Sequence, residues 1–129
     1  MLKKDYVMRL IHEAVRAIVK LVFNIDTDKE EELVFTEKEK ETTYDELLKL
    51  INEGNINDAE NKLLDELDSK DMECYKMALM FYSYLNEIDT DFLEEHDFSK
   101  KEIVDGLKYV SNIYGYGSMA GALLNVMLD

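Results

Sequence analysis

The residues able to form a chemical site are few and poorly grouped. Asp26, Asp28, Glu30, Leu33 and Glu37 follow the spacing of a 12-residue calcium loop, but its sixth position, which needs Gly for the sharp turn, is Glu31. The stretch is expected to be a solvated acidic linker. His96 lies among Glu94, Glu95 and Asp97, and His12 on a polar stripe near the N-terminus; neither has a second His or a Cys at ligand spacing, and both are expected at the surface. Cys74, the single cysteine, sits in an apolar run with no base nearby in sequence to activate a thiol, so it reads as an inert core residue. There is no G-x-x-x-x-G-K-[ST], no G-x-S-x-G and no H-E-x-x-H, and Tyr114 to Gly121 does not fit a dinucleotide fingerprint. The sequence therefore predicts no catalytic, cofactor-binding or metal-ligating residue, and no cofactor. The 29 acidic residues alter nothing here, because abundance of carboxylates does not make an acid–base pair. One constellation remains: Tyr75, Tyr82 and Tyr84 on a single helix, which could line a small-ligand pocket.

Those side chains must be positioned by helices. With 129 residues, 47% hydrophobic and 34% charged, no Pro and only five Gly, the composition suits one all-α domain spanning residues 1–129. Residues 2–24 carry the clearest signal. Asp5, Arg9, His12, Glu13, Arg16 and Lys20 form one narrow polar stripe, and the apolar arc opposite spans roughly 220°, wider than one neighbour covers. This long apolar helix is expected to be the central spine. An acidic connector, residues 26–42, follows, in which Leu33, Val34 and Phe35 read as anchors to the core. Thr43 to Glu46 has the form of a capping box opening a helix over 43–53, and Gly54 closes it. Asn57 and Glu60 open the next helix, 57–68, giving an αα-hairpin. Further helices are expected over 70–87, 99–114 and 118–128, the fifth opened by a capping box at Ser99 to Glu102, with a turn of helix near 90–96.

The hairpin's second half, Gly54 to Leu67, resembles a tetratricopeptide repeat in Gly54 at the turn, Ile56 after it, small Ala59 at the crossing and Leu63 one turn on. The expected fold is therefore an all-α helical bundle with tetratricopeptide-like stacked αα-hairpins and the apolar N-terminal helix across them. Asp5 to Arg9, the hairpin Leu50 to Asn61, the run Phe81 to Asn86, and Phe98 to Ile103 continuing to Tyr114-Gly115 together resemble a bacterial family of small uncharacterised helical proteins. That resemblance implies a cytoplasmic helical protein and brings no activity or site residue with it.

Charge narrows the function classes. A net charge of −14 argues against a basic nucleic-acid-binding surface, although residues 1–25 carry a net +3. The N-terminal charges also interrupt any secretory or membrane-spanning segment, and a lone cysteine fits a reducing compartment, so a cytoplasmic location is expected. The leading expectation is a non-enzymatic protein–protein interaction or scaffold protein with an unknown protein partner. The wide apolar arc of the first helix, with Val15 and Val19 at its edge, and the apolar tail after Ser118 further predict a homodimer. The alternatives are an enzyme or ligand binder with the Tyr-lined pocket, and peripheral membrane attachment through the first helix.

Overall fold

A computed structural model describes residues 2–25 and 35–124, with side chains from Tyr6 onward. The described residues form seven helices and no strand: α1 (Leu2–Phe23), α2 (Lys38–Asn52), α3 (Ile56–Asp65), α4 (Met72–Asn86), α5 (Thr90–Glu95), α6 (Lys100–Ile113) and α7 (Gly117–Leu124). The calcium-loop residues Asp26, Asp28, Glu30 and Leu33, the anchor Val34, and the tail from 125 to 129 lie outside them.

The centre of the bundle is α4, not α1. It packs against α1, α2 and α6, and ten of its fifteen residues are buried. Its sequence explains this, because Ala78, Leu79, Phe81, Tyr82 and Leu85 form a wide apolar arc and the polar arc of Glu73, Lys76 and Ser83 opposite is narrow. By contrast α1 buries one stripe, Ile11, Ala14, Val15, Ile18 and Val19, against α4, α7 and α6. Val15 and Val19, expected at an outer edge open to a second copy, are only 6% and 1% exposed within the single chain. The width of the apolar arc is met by three neighbouring helices, and Leu21 is left 69% exposed at the far side.

Helix α2 begins at Lys38, five residues before the expected start, so Thr43 is interior and caps nothing. The earlier start is held by tertiary contacts that a local capping signal does not contain. Thr36 donates its backbone N–H to Glu73 Oε1 at 3.2 Å, Lys40 pairs with Asp71 at 3.0 Å, and the Phe35 ring lies 5.5 Å from that of Tyr44. Phe35 thus acts as an anchor, as expected, with the Lys76 ammonium 5.7 Å above its ring. Glu39 and Glu41 in the first turn complement the helix dipole.

Three helix ends share one termination. After α2, Gly54 at φ +91° donates to the Ile51 carbonyl and Asn55 to that of Leu50; Asp97 and Phe98 repeat the pattern on Glu94 and Leu93 after α5, and Gly115 and Tyr116 on Asn112 and Ser111 after α6. At Gly54 there is a second constraint, since a Cβ there would meet the His96 ring at 2.5 Å. His96 is accordingly half-buried rather than a free surface residue: its Nδ1–H donates to the Phe92 carbonyl at 2.7 Å and its ring closes over the α2–α3 turn. Asn57 is not the cap of α3, which is Asn55; the Asn57 amide instead donates to the Asp97 carbonyl, tying the same turn to α5.

One polar network crosses the core. Buried Asn86 donates to the Met8 carbonyl of α1 at 2.8 Å and accepts from Lys100 Nζ at 3.0 Å, while the same ammonium binds the Asn86 carbonyl at 2.6 Å. Among the described residues no buried side-chain nitrogen or oxygen lacks a partner.

Candidate functional site

The three tyrosines of α4 do not form one pocket. Tyr75 is fully buried, donates to Ser111 Oγ at 2.8 Å, and stacks with Tyr114 and Tyr116 with centroids at 4.7 and 5.9 Å. Tyr84 points the other way and donates to Asn52 Oδ1 at 2.7 Å. Two residues along a helix is a turn of about 200°, so Tyr82 and Tyr84 are on nearly opposite faces. Tyr82 lines a cleft that neither Tyr75 nor Tyr84 shares.

That cleft, of about 260 Å³, lies between α3 and α6 and is lined by Glu60, Leu64, Tyr82, Glu102, Asp105, Gly106 and Tyr109. Two helical stripes build it. Glu60 and Leu64 are one turn apart on α3, and Glu102, Asp105, Gly106 and Tyr109 occupy successive turns of one face of α6. Tyr82 is the floor. Its hydroxyl donates to Glu60 Oε2 at 2.7 Å, and its ring lies so close to α6 that a Cβ on Gly106 would sit 2.4 Å from the phenol carbon and oxygen. A glycine in mid-helix is what lets this ring cross under α6.

Burial raises the Glu60 carboxyl above its usual range and the neighbouring Glu102 charge adds to this, against the opposing effect of the Tyr82 hydrogen bond. Burial likewise pushes the Tyr82 phenol well up, and the Glu60 charge reinforces it, so Tyr82 acts as a hydrogen donor and not as a base. Ser99 caps α6: its Oγ accepts the Glu102 N–H at 3.2 Å and donates to Glu102 Oε2 at 3.4 Å. Asp105 pairs with Lys101 at 2.9 Å on the outer side. Tyr109 is 57% exposed at the mouth.

The remaining sequence candidates lie elsewhere. Cys74 is buried at the start of α4 with Sγ 3.6 Å from the Glu66 carbonyl, and burial raises its thiol pKa, which disfavours the reactive thiolate. His12 is exposed, 4.0 Å from Glu87. Among the described residues no three His, Cys, Asp or Glu side chains are grouped to hold a metal ion, and no helix is long and apolar enough to cross a membrane. Sequence reasoning placed Glu60 and Glu102 at helix starts and missed Gly106 and Tyr109; the spacing of Glu102, Asp105, Gly106 and Tyr109 on one face was the available signal.

In comparison with known proteins, the model of a family of unknown function, DUF6483, matches residues 1–115. No curated protein and no solved structure matches the chain.

Proposed function

We propose that this chain, which belongs to the family of unknown function DUF6483, is a small non-enzymatic interaction protein that acts in the cytoplasm and binds a protein partner through its helical surface. The observation that carries this reading is that neither the buried polar groups nor the α3–α6 cleft calls for a small ligand. Every buried polar side-chain atom among the described residues has a partner, and the cleft at α3 and α6 is smaller than the roughly 300–1,000 Å³ of most small-ligand pockets. The separation of Tyr75, Tyr82 and Tyr84 weakens the rival Tyr-lined pocket.

Tetratricopeptide-like geometry belongs to the same proposal. Its support is that α2 packs on both α3 and α4, and α4 in turn on α6, the order of contacts in stacked hairpins, with fully buried Ala59 on α3. The test is native mass spectrometry of the protein purified from its own cells, followed by calorimetry with any captured protein after both are purified. A stoichiometric, saturable protein complex is the expected result; a co-purifying small molecule with no protein partner overturns the reading.

A second reading, the homodimer, rests on Leu21 and Tyr6, which leave apolar surface on α1 that the described residues do not cover.

A further inference from the structure

We propose that the cleft between α3 and α6 receives a basic side chain, an arginine or a lysine, presented by the protein partner. The inference rests on the interaction reading and adds the chemistry of what is bound. Carboxylates alone would not single out this place, since acidic side chains also run along α2 and α5. What distinguishes it is an apolar floor inside an anionic rim. Leu64, only partly buried above the buried Tyr82 ring and Gly106, offers a surface for a methylene stem, and Glu60, Glu102 and, on the outer side beside Lys101, Asp105 place acceptors around it for the charged head.

The Tyr109 ring, more than half exposed at the mouth, is placed to take the cation against its face. No lysine or arginine lines the cleft. The carboxylates are also too dispersed to close on a metal ion, because no metal-holding group of three acidic, His or Cys side chains occurs among the described residues. A spread of acceptors suits the fork of a guanidinium better than a point ion. Gly106 is the device that keeps the floor flat, since any side chain there would displace the Tyr82 ring.

The test is an amide NMR titration of the full chain with Nα-acetyl-arginine methylamide and, in parallel, with its neutral citrulline counterpart. Saturable shifts at the amides of Leu64, Gly106 and Tyr109 with the arginine compound alone are expected. Tyr109→Ala, which removes one cation–π contact, should weaken binding about two- to fivefold, and Glu102→Gln should weaken it without unfolding the chain. Equal shifts with citrulline, or unsaturable shifts spread along α2, would overturn the proposal. If a captured partner binds wild type and Tyr109→Ala equally and the arginine compound leaves the cleft silent, the cleft assignment fails and the interaction reading stands. If the arginine compound binds in the cleft while no protein is ever captured, it is the interaction reading that fails.

Discussion

At the scale of single residues, the Gly106–Tyr82–Glu60 contact is the most constrained feature of the cleft. Gly106→Ala should gain up to about 1 kcal/mol of helix propensity. It should lose more, roughly 1–3 kcal/mol, because the fully buried Tyr82 ring has nowhere to move when a Cβ arrives 2.4 Å from it. Net destabilisation in a urea titration is therefore expected, and a stabilised variant would show that the ring is not so confined. Glu60 makes a claim about pH. Its carboxyl has a folded pKa above the ordinary value of 4.5, so the folded state holds the extra proton, and the associated stability is complete below 4.5 and is lost as pH rises through the folded pKa. Glu60→Gln keeps an acceptor for Tyr82 without the buried charge. Its thermal midpoint should exceed that of wild type at neutral pH, and the gap should close below pH 4.5; a constant gap across that range would contradict the assignment.

At the scale of elements, two capping motifs of the same form have different fates. Ser99 does cap α6 through the Glu102 N–H, so Ser99→Ala should cost about 1 kcal/mol. Thr43 lies inside α2, where Ala is the better helix former, so Thr43→Ala should be neutral or stabilising by a few tenths of a kcal/mol. Equal losses from the two variants in denaturant titrations would reject the observed start of α2. The contrast marks where the sequence was legible. The end of α2 and α6 at Gly54 and Gly115, and the start of α6 at Ser99, are local events written in local residues. The start of α2 is set by Glu73 and Asp71, more than thirty residues away, which no window around Thr43 contains. The cleft was hidden for the same reason, because its walls come from α3 and α6 and its floor from α4.

For the whole molecule, the order of burial reverses the expected roles of α1 and α4. Periodicity identified both as strongly apolar, but it reports how much of a helix is greasy and not how fully its neighbours cover it; ten of the fifteen residues of α4 are buried, whereas α1 keeps an open edge at Leu21. Val15→Glu would place an unpaired charge in the core and should unfold the chain by circular dichroism. Leu21→Glu, at a position 69% exposed, should leave it folded. Light scattering then separates the readings of α1: if wild type is a dimer through this edge, Leu21→Glu is a monomer, and if wild type is already a monomer, the homodimer is rejected.

The central claim, that a protein partner engages the face carrying the α3–α6 cleft, is tested most directly by photo-crosslinking in the native cell. A benzophenone amino acid replaces Tyr109 in one variant and Leu21 in another, two exposed positions on different helices. One discrete higher-mass adduct, containing this chain and a second protein, is predicted from position 109 and not from position 21. Adducts from position 21 alone, or none from 109 when the variant is folded and present at wild-type level, would contradict it.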